Sequence, residues 1–133
     1  MPAIAFEYPE EVRAIRDGLD RFIRWNKDAD WIGKAAALAE KAAGPKRKLV
    51  SFVVDANDSD VVAWEPIWLN DAVVGFCTSG GYSHWTGKSL AQGFLPADQV
   101  KDGLECEIEI LGERRKATVH LAPVWDDGGR MRA

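Results

Sequence analysis

The sequence predicts a mainly β protein: a small antiparallel six-stranded β-barrel preceded by two α-helices. Two observations lead there. Apolar side chains recur every three or four residues before Pro45 and every two residues after it, so a helical period gives way to an extended one. From Lys48 onward, short β-branched and aromatic runs alternate with polar or glycine-containing turns. Closing such a sheet on itself removes the unpaired edges that its short strands would otherwise expose.

The first helix is expected over residues 9–26, where Val12, Ile15, Leu19, Phe22 and Ile23 gather on one face and Gly18 weakens the run. A short polar joint, Asn26-Lys27-Asp28, follows it. The second helix takes Asp30 as its N-cap, carries Ile32, Ala35, Leu38 and Ala39 on one side, and stops at Gly44-Pro45. Strands are expected near 48–54, 65–69, 72–78, 92–95, 104–111 and 113–121. The chain thus divides into a helical segment and linker, 1–46, and a barrel, 47–133.

The last two strands are the best specified. Leu104, Cys106, Ile108 and Ile110 alternate with Glu105, Glu107 and Glu109, which gives one core face and one solvated face. Leu111-Gly112 then serves as a two-residue turn. That turn places Glu109 opposite Arg114, Glu107 opposite Lys116, Cys106 opposite Ala117 and Leu104 opposite Val119. The glutamates read as a hairpin-locking face rather than an acid/base site.

Composition bounds the function. At 133 residues the chain suits one domain with one core. Its net charge of −4, without a basic stripe, argues against a nucleic-acid partner. No apolar run is long enough to cross a bilayer, and Met1 to Glu10 lacks the features of a secretory leader, so a soluble cytoplasmic protein is expected. Cys77 and Cys106 are too few for a disulfide framework and fall in apolar segments, as buried free thiols do.

The segment from Thr78 to Ser89 contains Gly87-Lys88-Ser89 after a glycine-rich stretch, which invites a phosphate-loop reading. The spacing fails, because the required upstream glycine position is held by Tyr82 and no helix follows. His84 and His120 with Cys77 and Cys106 do not have the spacing of a compact zinc motif. No serine or cysteine is accompanied by a recognisable triad pattern. What stands out is a density of aromatic and hydrogen-bonding groups at Trp64, Glu65, Trp68, Tyr82, His84, Trp85 and Lys88, a composition common to ligand sites, domain interfaces and barrel cores.

Three ordered blocks carry a resemblance. The run Val73 to Ser83, continued by Gly87-Lys88-Ser89-Leu90-Ala91-Gln92-Gly93-Phe94-Leu95-Pro96, resembles the signature of the C-terminal barrel in glycine cleavage T-proteins and their relatives. Asn26-Lys27 with Asp30-Trp31-Ile32-Gly33-Lys34 is similar to the stretch that leads into that family's linking helix. Glu107 to Gly112 and Ala122-Pro123-Val124-Trp125-Asp126 resemble its closing hairpin and end. Trp64-Glu65-Pro66-Ile67 looks most like the folate-binding half of dimethylglycine and sarcosine dehydrogenases and related demethylases.

The resemblance implies a non-catalytic barrel subunit or fragment of a tetrahydrofolate-dependent aminomethyl- or methyl-transferase. The catalytic and most folate-binding groups of that family lie in preceding domains, which this chain does not carry. A larger folate-binding chain is the implied partner and shared tetrahydrofolate the implied cofactor. Trp64, Glu65, Tyr82, His84, Trp85 and Lys88 are then the residues expected to face the folate. The competing expectation is a structural or interaction module that forms a homodimer and has no folate function.

Overall fold

The computed structural model describes residues 18–125. Six antiparallel strands, β1 (Arg47–Val54), β2 (Pro66–Leu69), β3 (Ala72–Ser83), β4 (Lys88–Pro96), β5 (Glu105–Ile110) and β6 (Glu113–His120), close into a barrel in the order β1-β4-β3-β2-β5-β6. Period-2 patterning fills its interior. Val50, Phe52 and Val54 of β1, Ile67 of β2, Cys77 of β3, Ala91 and Leu95 of β4, Cys106, Ile108 and Ile110 of β5, and Ala117 and Val119 of β6 form one buried core.

The two ends are plugged differently. At one end the long β1–β2 connection folds over the barrel and buries Ala56 and Val61. Asp55 N–H donates to the Lys116 carbonyl, and the Ser89 hydroxyl donates to Asp60 Oδ1 at 2.6 Å, so this connection is tied to β6 and β4. At the other end Val100 and Leu104 of the β4–β5 loop pack on the core, and Asp102 Oδ1 accepts the Leu121 N–H at 2.9 Å.

The β5–β6 hairpin has the expected register, with Glu109 opposite Arg114, Glu107 opposite Lys116 and Cys106 opposite Ala117. Leu104 and Val119 join through a backbone bond of 2.9 Å. Leu111 and Gly112 sit at φ 49° and 87°, the left-handed pair of a type I′ turn. The charged face is wired differently from the expectation. Glu109 accepts the Trp68 indole N–H at 2.8 Å, while Arg114 pairs with Asp71 at 2.7 Å and stacks over the Trp68 ring at 3.7 Å. Trp68 projects from the neighbouring strand between Glu109 and Arg114, and its donor and its π face satisfy one partner each.

Strands β3 and β4 are longer than the sequence reading allowed. The stretch between the strands expected at 72–78 and 92–95 is mostly ladder, with Ser79 opposite Gln92, Tyr82 opposite Ser89 and Ser83 opposite Lys88. Its backbone donors are therefore engaged in pairing rather than arranged around a phosphate.

Among the described residues one α-helix is seen, so the expectation of two is not confirmed. That helix, α1 (Lys34–Ala43), ends at Gly44 as expected but starts later. Gly33, at φ 86°, holds the N-cap position, and Asp30 instead accepts the Trp31 N–H at 2.9 Å. Left-handed Gly33, together with the weak helix formers Trp31 and Ile32, confines the regular turns to the alanine-rich stretch beyond. Of the helix expected over 9–26, residues 9–17 lie outside the described residues. The remainder contains a single 3₁₀ turn, Asp20–Phe22, after Gly18 at φ 70°, and Ile23 is already extended. No residue of that turn or of α1 is buried, so neither gains the packing that usually sustains a short helix.

Candidate functional site: the Trp64 rim and the β3–β4 hairpin tip

The six residues singled out by sequence separate into two groups. Trp64 and Glu65 lie beside the middle of β3, because Trp64 N–H donates to the Cys77 carbonyl and Cys77 N–H donates to the Glu65 carbonyl, each at 2.8 Å. Tyr82, His84, Trp85 and Lys88 lie at and beside the β3–β4 turn. Five steps along the strand lead from Cys77 to Tyr82, about 16 Å at ~3.3 Å per residue.

Trp64 has a left-handed backbone, φ 76°, which is rare for a bulky side chain. Its indole stacks on Phe76 at 5.5 Å and 24° and stays 58% exposed. Glu65 holds this conformation in place. One carboxylate oxygen accepts the Val62 N–H at 2.8 Å and the other accepts the Leu111 N–H at 3.0 Å, so a single side chain fastens the Trp64 loop to the β5–β6 turn. Replacing Glu65 with alanine leaves both backbone donors without this partner, and a loss of about 2–3 kcal/mol is expected by urea denaturation. Glu65→Gln keeps one acceptor oxygen and should fall between wild type and alanine.

At the hairpin tip, Gly87 N–H donates to the Ser83 carbonyl at 2.8 Å and Thr86 N–H to Ser83 Oγ at 3.3 Å, which fixes a compact turn. Tyr82 and His84 meet edge to face at 5.0 Å. Trp85, 78% exposed, meets the edge of Trp125 at 5.8 Å. Lys88 extends from the first position of β4 into solvent.

Next to this tip is a groove of about 370 Å³ between the outer face of β1, β4 and β3 and the segment Pro123 to Trp125. Its floor is a cross-strand row, Ser51, Gln92 and Ser79. Gln92 Oε1 is buried there with no donor among the described residues. The sequence reading did not single out Gln92, Trp125 or Asp60. The first opens the strand expected at 92–95 and faces outward, and the other two gain meaning only from contacts distant in sequence.

The two thiols face the core. Burial raises Cys77 from 9.0 to about 12, with smaller contributions from the charges of Glu65 and Cys106. Burial, then Glu107, raises Cys106 to about 12 as well. Among the described residues no group of three or more His, Cys, Asp or Glu is placed to hold a metal ion, and no helix is long and apolar enough to cross a membrane.

A closed six-stranded barrel entered by a helix, with a β3–β4 hairpin carrying the Tyr82–Lys88 tip, is the geometry on which comparison with known proteins turns. The family described as the glycine cleavage T-protein C-terminal barrel domain matches residues 47–126. The chain belongs to that family. The chain is 39% identical over 114 residues to the mitochondrial dimethylglycine dehydrogenase of Homo sapiens, covering 86% of this chain and 13% of that protein. It is 32% identical over 117 residues to a probable aminomethyltransferase of Pyrococcus horikoshii, covering 88% of this chain and 29% of that one. The glycine cleavage system aminomethyltransferase T of Bartonella henselae superposes with a TM-score of 0.73 at 22% identity, over 89% of this chain and 36% of that chain, which supports the fold. The chain thus spans a minor part of the length of the relatives it matches.

Proposed function

We propose that this chain is a non-catalytic barrel subunit or fragment of a tetrahydrofolate-dependent aminomethyl- or methyl-transferase, and that it closes the folate cleft of a larger chain. The observation that carries this reading is the share of the relatives it represents: the chain matches a family described as a C-terminal barrel domain and covers 13% of a dimethylglycine dehydrogenase and 29% of a probable aminomethyltransferase.

The residues present suit an edge of such a cleft. Folate combines flat aromatic rings with a carboxylate tail. The exposed rings of Tyr82, His84 and Trp85 offer planes to the former, and the Lys88 ammonium offers a charge to the latter. Glu65 acts by fixing the Trp64 loop through its two backbone donors. In this reading the one-carbon chemistry belongs to tetrahydrofolate and the larger chain, while the barrel orients folate and excludes water.

Calorimetry tests this reading. The chain alone should bind tetrahydrofolate at least roughly tenfold more weakly, about 1.4 kcal/mol, than its complex with the larger chain. Lys88→Ala should weaken the complex's binding further. A chain that forms a stable homodimer, shows no folate response and has no larger partner would establish the interaction-module reading instead.

A further inference from the structure

The groove beneath the segment Pro123 to Trp125 is built like a slot. Two outward rungs of the sheet form its floor. Ser51, Gln92 and Ser79 stand side by side on one, and on the next Leu90 stands opposite Gly81. Gly81 leaves the floor open, since an added Cβ there would meet nothing within 4 Å. Trp125 closes the side, with its ring set edge to face against Trp85 at 5.8 Å. Space between a glycine and an indole suits a flat molecule. The volume of about 370 Å³ falls at the lower end of the ~300–1,000 Å³ range of small-molecule sites.

No side chain that lines the groove carries a charge, although 29% of the residues in the chain do. An ionised molecule that entered would lose water without gaining a counter-charge. One polar demand is nonetheless unmet, because Gln92 Oε1 is buried on the floor with no donor among the described residues. A buried carbonyl in this state lowers stability until a donor is supplied. The wall above it is loosely fastened. Among the described residues no backbone hydrogen bond ties Pro123, Val124 or Trp125 to the strands beneath, and the segment is anchored upstream, where Leu121 N–H donates to Asp102 at 2.9 Å.

We propose that this groove binds a planar, uncharged heterocycle that donates an N–H, the class of an aromatic primary amide or a nucleobase. The wall from Pro123 to Trp125 shifts to let that donor reach Gln92 Oε1. The ring lies over Gly81 and Leu90, and the Trp125 indole covers its outer side. The site stands apart from the folate reading, since Tyr82, His84 and Lys88 do not line it and a carboxylate tail finds no charge inside.

A nuclear magnetic resonance titration of the full chain tests the proposal. It follows the indole N–H signal of Trp125, assigned by its absence from a Trp125→Phe chain. Nicotinamide and adenine are expected to shift this signal to saturation. Nicotinate, which matches nicotinamide in size but carries a carboxylate, should bind at least roughly tenfold more weakly. Gln92→Leu removes the acceptor and should weaken nicotinamide binding roughly tenfold. Gly81→Leu, whose side chain fills the slot, should abolish the shift, and Gln92→Leu keeps the test decisive where that chain fails to fold. Equal affinity for nicotinamide and nicotinate, no shift with either neutral probe, or an undiminished shift in a folded Gly81→Leu chain overturns the proposal. Displacement of nicotinamide by tetrahydrofolate overturns it as well, because the groove then belongs to the folate site. Calorimetry of the complex with the larger chain decides the folate reading separately.

Discussion

Replacing Gly75 with alanine is expected to unfold the barrel or cost it roughly 4 kcal/mol or more, the range reached when a buried backbone is forced apart. A Cβ at this position would collide with the Phe94 carbonyl oxygen and press on the carbonyl carbon behind it. The opposing atoms belong to the backbone of β4, so no rotamer change relieves the overlap. Gly93 supports the same crossing from the other strand, where an added Cβ would lie 2.7 Å from the Phe76 carbonyl oxygen and 2.9 Å from Ile67 Cδ1. Register shifts between Ile67 and Trp68 and between Cys77 and Ser79 flank these glycines. Bulges and glycines together let a short sheet bend sharply enough to close. Thermal denaturation followed by near-ultraviolet dichroism checks this. Gly81→Ala, with nothing within 4 Å of its added Cβ and an ordinary negative φ, should melt close to wild type. A Gly75→Ala chain that melts within a few degrees of wild type would show that the strands do not approach this closely.

The same close packing explains which parts of the fold were legible in the sequence. The β5–β6 hairpin could be read because Cys106, Ile108 and Ile110 alternate with glutamates and Leu111-Gly112 fixes the register locally. The β3–β4 hairpin was underestimated because Thr78-Ser79-Gly80-Gly81 has the composition of a loop. Gly80 is a glycine because another segment lies on it: an added Cβ would collide with the carbonyl oxygen and Cβ of Val61 in the β1–β2 connection. Nothing local in the sequence announces a crossing segment. The stop of α1 at Gly44 was legible, since glycine there takes φ 75°, whereas Asp30 resembled a cap only until Gly33 took that place.

For the candidate site, the aromatic density was visible but its division into two groups was not. Trp64 and Trp85 are 21 positions apart in the chain, and only the ladder shows that one lies beside Cys77 and the other beyond Tyr82. Gln92 was missed for a related reason. It is an ordinary residue of its strand until the register places Ser51, Gln92 and Ser79 side by side on the outside of the barrel.

Raising the pH through the range 9 to 12 is expected to destabilise the fold through the two core thiols. Both are raised from 9.0 to about 12 in the folded chain, chiefly by burial. Below pH 9 both states keep their thiols protonated and the thiols contribute no pH dependence. Between 9 and 12 the unfolded chain loses these protons and the folded chain retains them, so the unfolded state is increasingly favoured. Each thiol then removes up to ~1.4 kcal/mol of stability per pH unit. Tyrosine and lysine also titrate in this range, so the informative comparison is with a Cys77→Ala, Cys106→Ala chain, whose stability should fall less steeply between pH 9 and 11 in urea titrations. The packing loss in that variant lowers its stability at every pH and leaves the slope as the readout. The folded wild type should also resist a thiol-reactive disulfide reagent at pH 8 and react at both positions once unfolded, because the thiolate is the attacking species. Equal slopes in the two chains, or rapid labelling of the folded barrel, would mean that water reaches one of the two sulfurs.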